Sequence, residues 1–431
     1  MISGKTANEI EFSIKKSVTD GLLSHGQPLP TIRSLAEDLG VNRNTVAAAY
    51  RALSEQGLIS GKGRQGSRIN LLERKPESRA GAIRELSGGN PDPELFPDFS
   101  TMFSKSRWSQ RKYGDIPDDP ELVDIVAQAF REDGMPIQDV WLSSGTFDAV
   151  ITIFRRFLQP GDSVAVEDPC FVTTLGLVRR CGYTPVAMPV DGNGVTPEGL
   201  ENALKSGAKA VVLTPRAQNP FGGSWSSERH GQLFEIMQRY PDVILIEDDH
   251  FSVLSAFPPM TLVDPARENW AIIRSTSKYL GPDLRLAAVN SSEPVSRACQ
   301  SLNAFTNRWV SGFLQSAALN VLNGPKFADF TAKVAKLYQD RRVAAIQALA
   351  AHGITAYGRD GINIWIPVTD ESFIVRRLGE EGWGVRAGSV FRINSAPGIR
   401  LTTSSLTEEL SNDFAGTLAM ILKFDEVERG A

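Results

Sequence analysis

A single amine and a guanidinium stand seven residues apart in the stretch RSTSKYLGPDLR, Arg274 to Arg285. Lys278 follows the apolar run WAIIR through a hydroxyl-rich turn of Ser275, Thr276 and Ser277. A lysine at the mouth of a buried strand is suited to forming a Schiff base with an aldehyde, and hydroxyls beside an arginine are suited to holding a phosphate. Other residues fall at comparable places along the chain. Gly145 and Thr146 sit in a turn that leads into a helix in VWLSSGTFDAV, and Phe171, Asn219 and Asp248 each follow an apolar β-prone run. Taken singly, an aspartate after a strand is commonly a turn or cap residue, and a lone lysine is commonly on the surface. Five such residues on one edge of a sheet point to a ligand, because open α/β sheets bind ligands beyond the carboxyl ends of their strands. A Schiff-base lysine, a carboxylate for a pyridinium nitrogen and an aromatic ring to stack are what pyridoxal phosphate requires. On that reading Lys278 takes the aldehyde, and Asp248 keeps the ring nitrogen protonated. Asn219 bonds the phenolic oxygen, and backbone N–H groups at the Gly145–Thr146 helix start join Ser275, Ser277 and Arg285 around the phosphate.

The elements that must position these residues follow from the pattern. From Ser87 onward β-type apolar runs alternate with helical stretches, which predicts a mostly parallel sheet with helices on both faces. Candidate strands are 163–168, 210–214, 243–247, 271–275 and 287–290. Residues 72–86, LERKPESRAGAIREL, are charged and lack clean periodicity, and are read as a short linker.

The first seventy residues read differently. Ile10, Ile14, Val18 and Leu22 recur four residues apart, as on one helical face. Thr31 is placed to cap a helix that buries Ile32, Leu35, Ala36 and Leu39, and Gly40 is placed to stop it. Asn42 then caps a second helix with Val46, Tyr50 and Leu53 as its stripe, ended by Gly57. Two short helices across a tight turn are the layout of a helix-turn-helix. Arg43, Asn44 and Thr45 open the second helix, where base edges and phosphates would be met, with Arg33 on the helix before it. Two β-prone pieces around a Gly-rich tip follow, and Lys62, Arg64 and Arg68 there suit a wing against the phosphate backbone. The bland alternative is a helical appendage with solvated charges.

Charge agrees with this division. Residues 1–70 carry nine Lys/Arg against six Asp/Glu, or +3, and since the whole chain carries −4 the remainder carries −7. A basic front on an acidic body points to nucleic-acid contact by the front alone. Three cysteines cannot build a disulfide framework, and no CxxC pair suggests zinc. No charged leader with an apolar core follows Met1, and no stretch of about 18 residues is free of polar interruption, so a cytoplasmic chain without metal is expected.

The stretch LPTIRSLAEDLGVNRNTVAAAYRALSEQGLI followed by GRQGS resembles the GntR family winged helix over about forty consecutive positions, with Thr31 and Asn42 where that family often has Ser. NPFGG (219–223), EDDH (247–250), STSKYLGPDLR (275–285) and IRLTTS (399–404) resemble the ordered signatures of fold-type I aminotransferases. Together these resemble the MocR family of transcription regulators. That likeness implies a winged helix over residues 1–71 and an aminotransferase-like domain over 87–431, with a small subdomain from roughly 325. It implies that Arg400 grips an effector α-carboxylate, that Phe171 stacks on the cofactor ring and that Thr146 and Phe147 meet its phosphate. It also implies that Tyr113 reaches a phosphate in the neighbouring subunit of a head-to-tail homodimer. The expected partners are operator double-stranded DNA, pyridoxal phosphate and an amino acid or amine, with vitamin B6 supply genes as targets. The competing reading is a working aminotransferase with a vestigial front end.

Departures from the enzymes touch chemistry more than capture. His250 stands where a tyrosine would donate to the phenolic oxygen. It either does this less well, titrates near neutrality, or is a satisfied structural histidine. Phe171 lacks the usual tyrosine hydroxyl. Asp119 and Val123 stand at the ends of a segment that is normally Gly-x-x-x-Leu-Arg, and Arg386 adds a cation in a loop that faces the site in relatives, either to bind a second acidic group or to sit in solvent.

Overall fold

A computed structural model describes residues 2–19, 23, 27–55, 59–60, 67–69, 83–104 and 111–430. The chain divides into two compact units, Met1–Ala80 and Gly81–Ala431.

In the first unit, helices Ala7–Thr19, Ile32–Leu39 and Arg43–Glu55 enclose a small core of Ile10, Ile14, Leu35, Ala36, Val46, Tyr50 and Leu53. The Thr31 side chain accepts from Ser34 N, and Gly40 closes the helix in the left-handed region at φ 62°. Ile32 departs from expectation: it is exposed, because the short helix turns only its Leu35–Ala36 edge inward. Asn42 Oδ1 accepts from Asn44 N at 2.8 Å, which shapes the start of the third helix. Strands Ile59–Ser60 and Arg68–Ile69 pair antiparallel as the base of a wing. Val18's side chain, Leu22, Gly57, Lys62 and Arg64 lie outside the described residues.

The second unit is built on an eight-stranded sheet. Its order is Asp139–Ser143, Ala287–Ser291, Trp270–Ser275, Ile244–Asp248, Ala210–Leu213, Ser163–Asp168, Thr184–Asp191 and Gly194–Val195. The five strands from Trp270–Ser275 to Thr184–Asp191 run parallel. Ala287–Ser291 is antiparallel to both neighbours, and Gly194–Val195 turns back along the far edge. The sheet is therefore mixed rather than simply parallel. Both faces are covered, and strand alternation explains how: Ala271 and Ile273 enter one core while Trp270 and Ile272 enter the other.

A smaller sheet of Asn363–Pro367, Gly398–Thr402 and Arg386–Ala387 packs with helices Phe327–Ala351, Glu371–Glu380 and Glu408–Gly430. Arg84 and Glu85, inside the expected linker, instead pair in parallel with Trp383 and Gly384. Leu86 is buried in the same small core, so the body begins earlier than residue 87. Among the described residues no helix is long and apolar enough to cross a membrane, and no cluster of metal-ligating side chains occurs.

Candidate functional site

Thr146, Phe147, Phe171, Asn219, Asp248, His250, Ser275, Ser277, Lys278 and Arg285 line one cavity at the carboxyl edge of the large sheet. The elements bring them there by ending together. Asp248 is the last residue of its strand, Ser275 is the last of the next, and Phe171 is the N-cap of helix Val172–Arg180.

Gly145 caps helix Thr146–Phe157 at φ 104°, a conformation that L side chains rarely adopt. A Cβ there would stand 2.6 Å from Arg285 Nη2, so only glycine lets the guanidinium lie over the helix start. Arg285 Nη2 donates to Ser144 O at 3.0 Å, and the Ser275 and Ser277 hydroxyls are 2.9 Å apart. An arginine, two hydroxyls and a helix N-terminus thus gather at one end of the cavity, a donor set fit for a phosphate.

Lys278 and Asp248 line the same cavity. Lys278 Nζ donates to Gly89 O at 2.8 Å. Burial, with Arg400 adding to it, lowers the lysine to about 8. Burial pushes Asp248 up to about 7, with Asp249 adding to it, and the Thr146 hydroxyl donates to it at 3.4 Å. Its neighbour Asp249 shows the contrast. Burial would raise it too, yet Arg216 and Arg274 hold it below the usual range, each with a 2.9 Å bond from Nε. Asp248 has no such cation bonded to it among the described residues, and a protonated ring nitrogen would supply one. Phe147 and Phe171 form a stacked pair with centroids 5.7 Å apart, placing flat apolar surface on the cavity wall.

Burial, then Lys278, lowers His250 to about 4, so it is neutral here rather than a group that titrates near neutrality. Arg400 lies next to the cavity. Its Nη1 donates to Asn219 Oδ1 at 3.1 Å, Nη2 bonds Ser87 O, and Nε is buried with no hydrogen-bond partner among the described residues. Burial, with Arg386 adding to it, lowers Arg400 to about 10. Tyr113 is not on this cavity: it is 80% exposed, with Arg308 over its ring at 4.6 Å.

Several residues of the site were not singled out from the sequence. Glu167, Cys170, Thr174 and Thr214 also line the cavity. Glu167 is pushed by burial to about 7 and accepts from Thr214 N and Gln218 Nε2 at 3.0 and 3.1 Å. Glu167 is the last but one residue of strand Ser163–Asp168, so the carboxyl-edge argument could have found it. Gly89 lies within GGNPDPELFP, and at φ 66° its missing side chain leaves room for the Arg400 guanidinium.

In the first unit Arg33, Asn42, Arg43, Asn44 and Arg68 are exposed, and Thr45 is half-buried. Arg33 and Arg43 both approach Glu37, at 3.0 and 4.0 Å. Such surface pairs are weak and leave both guanidiniums available to phosphates.

A model of the bacterial regulatory proteins, gntR family, matches residues 6–69. The chain is 40% identical over 430 residues to the vitamin B6 salvage pathway transcriptional repressor PtsJ of Salmonella typhimurium, covering 98% of this chain and 100% of that protein. It is 25% identical over 357 residues to the HTH-type pyridoxine biosynthesis transcriptional regulator PdxR of Corynebacterium glutamicum, covering 78% and 76% of the two chains. A crystal structure of an archaeal alanine:glyoxylate aminotransferase matches with TM-score 0.72 at 22% identity, over 80% of this chain and 92% of that one. A Thermus thermophilus aspartate aminotransferase mutant matches with TM-score 0.70 at 22% identity, over 81% and 99%. At such identity the two enzymes share the fold of the body and nothing finer is drawn from them. With a gntR-type winged helix in front, an aminotransferase fold behind and a regulator matched along its full length, the chain belongs to the MocR family of transcription regulators.

Proposed function

We propose that the body of this regulator captures pyridoxal phosphate on Lys278, and that capture changes the hold of the winged helix on operator DNA. Asp248 carries this reading. It is a buried carboxylate beside a flat-walled cavity, with a hydroxyl for company and no bonded cation among the described residues. Leaving such a group unpaired is costly, and a cationic ring nitrogen relieves that cost. When bound, the cofactor supplies an electrophilic carbon and an electron-withdrawing ring.

The chain's own residues do the rest. Asp248 holds the proton on the ring nitrogen, Phe171 gives the ring an apolar face, and Asn219 bonds its phenolic oxygen beside a neutral His250. Gly145, Thr146, Phe147, Ser275, Ser277 and Arg285 hold the phosphate. Arg400 receives the carboxylate of an amino-acid effector, for which it must release Ser87 O. Tyr113, exposed in the single chain, reaches toward the partner in a head-to-tail homodimer.

The signal is pyridoxal phosphate itself, or an amino acid or amine that joins it. The regulated genes are those of vitamin B6 supply, a reading supported by the 40% identity to a vitamin B6 salvage pathway transcriptional repressor. The protein works in the cytoplasm, where its DNA is. Turnover is weak, because the departures at His250 and Phe171 remove hydroxyls that would tune the ring.

The test is DNA binding to the protein's own upstream region, with and without pyridoxal phosphate, for wild type and Lys278→Ala. Wild type should change affinity by about tenfold, in the range of ordinary couplings, and the variant should not respond. A variant that responds like wild type removes Lys278 from the mechanism.

A further inference from the structure

A second cavity, of about 430 Å³, lies in the body behind the turn that carries Lys278. The same stretch of chain, the end of strand Trp270–Ser275 and the turn after it, walls both cavities. Ser275, Ser277, Lys278 and Arg285 face the first, whereas Arg274, Thr276, Tyr279 and Leu286 face the second. Helix Pro120–Glu132 and the start of helix Phe327–Ala351 complete it, contributing Val126, Ala129, Phe130 and Phe327. This volume and largely apolar lining are those of a small-molecule site.

Besides Gln128, Ser252, Thr276 and Thr331, the polar groups of the second cavity are Tyr279, Arg274, Glu132 and Asp133. Tyr279 is 7% exposed, with its ring 5.8 Å from that of Phe327. Burial raises its hydroxyl, and no hydrogen bond from the described residues offsets the rise. Arg274 Nη2 has no hydrogen-bond partner of good geometry, though it stands 2.6 Å from Asp133 Oδ2, and its guanidinium lies 4.5 Å over the Phe130 ring. Charge is uneven. Among the lining residues Glu132 and Asp133 are set against Arg274, which leaves one carboxylate in excess. Glu132 and Asp133 are the partly exposed members, so the excess is at the mouth.

We infer that this cavity is a second ligand site, for a small molecule with an apolar, ring-sized body and an ammonium head. The body fills the space between Ala129, Phe130, Phe327 and Tyr279. The head remains at the mouth against Glu132 and Asp133. This reading stands apart from cofactor capture at Lys278.

The probe is N,N-dimethyl-2-phenylethylamine, a tertiary amine that cannot condense with an aldehyde and so cannot report on the Lys278 site by that route. Titration calorimetry on the full chain, with and without pyridoxal phosphate, should give saturable binding in both cases. The anion 3-phenylpropanoate should bind at least about tenfold more weakly. Ala129→Phe, which fills the cavity, and Glu132→Gln with Asp133→Asn, which removes the excess charge, should each weaken the amine by about tenfold or more. Should Ala129→Phe not fold, as judged by its thermal transition, Ala328→Leu at the rim carries the same expectation. Absence of binding at millimolar amine, equal binding of the anion, or affinity unmoved by the filling variant overturns the inference. So does an affinity that falls as protein concentration rises, since a second copy of the chain would then be the occupant.

Discussion

Lys278 is lowered to about 8 by burial first and then by Arg400, and that value sets when its amine is free to attack an aldehyde. The rate at which cofactor-free protein captures pyridoxal phosphate should therefore rise with pH about a midpoint near 8. Stopped-flow absorbance measures it, and a midpoint near 10.5 would mark an ordinary exposed lysine. Asp248 runs the other way. Its folded carboxyl, at about 7, keeps a proton that the unfolded chain releases near 3.8. The folded state thus binds more protons between those values, so the cofactor-free protein loses stability as pH rises from about 4 to about 7. Asp248→Asn should flatten that loss and raise the melting temperature at pH 8, while cofactor retention falls by about tenfold or more. Thermal unfolding across pH together with a cofactor titration checks both halves. Glu167 and Glu247, also raised to about 7 by burial, keep part of the slope in the variant.

Among the elements, helix Thr146–Phe157 depends on its first residue being preceded by glycine. Gly145 lies at φ 104°, and an added methyl would strike Arg285 Nη2. Gly145→Ala should displace the guanidinium from the helix start and weaken pyridoxal phosphate by about tenfold to a hundredfold, the scale of losing a charge-assisted phosphate contact. The large sheet should survive, because its cores lie beneath the turn. Equilibrium cofactor titration with far-UV circular dichroism separates these outcomes; unchanged affinity would mean that Arg285 is not part of the phosphate site. Strand Trp270–Ser275 shows a second element-level device, since its alternation sends Arg274 to grip Asp249 while Ser275 turns toward the phosphate end.

At the scale of the molecule, the chain separates two tasks into two units, Met1–Ala80 and Gly81–Ala431. Arg43 is exposed at the start of the third helix, with Glu37 at 4.0 Å. Arg43→Ala should lower operator affinity and reduce the salt slope of binding by about one, while cofactor absorbance stays unchanged. Electrophoretic mobility assays at several salt concentrations test this. Loss of cofactor capture in the same variant would contradict the division of labour.

Much of this organisation was legible in the linear chain. Capping at Thr31 and Asn42, the glycine stop at 40 and the apolar stripe of Val46, Tyr50 and Leu53 are local properties, governed by spacings of three and four residues. Phe171, Asn219, Asp248 and Lys278 were legible for a similar reason, because each follows an apolar run of its own, whereas Gly145 and Thr146 were legible as a turn leading into a helix. Three strands of the large sheet escaped notice, and one of them, Gly194–Val195, is only two residues long. DVWLS is short, and TPVAMPVD carries two prolines that break a β-type reading. The reversed direction of Ala287–Ser291 has no local signature at all. Tertiary structure alone brought Gly89 O to Lys278 across 189 residues and Ser87 O to Arg400 across 313. It alone set Asp248, with the Thr146 hydroxyl and no bonded cation among the described residues, beside an Asp249 gripped by two arginines. Local sequence determines where an element begins, ends and which face is apolar; which distant charge meets which depends on how closed sheets and helices pack, and that is decided only when the chain folds.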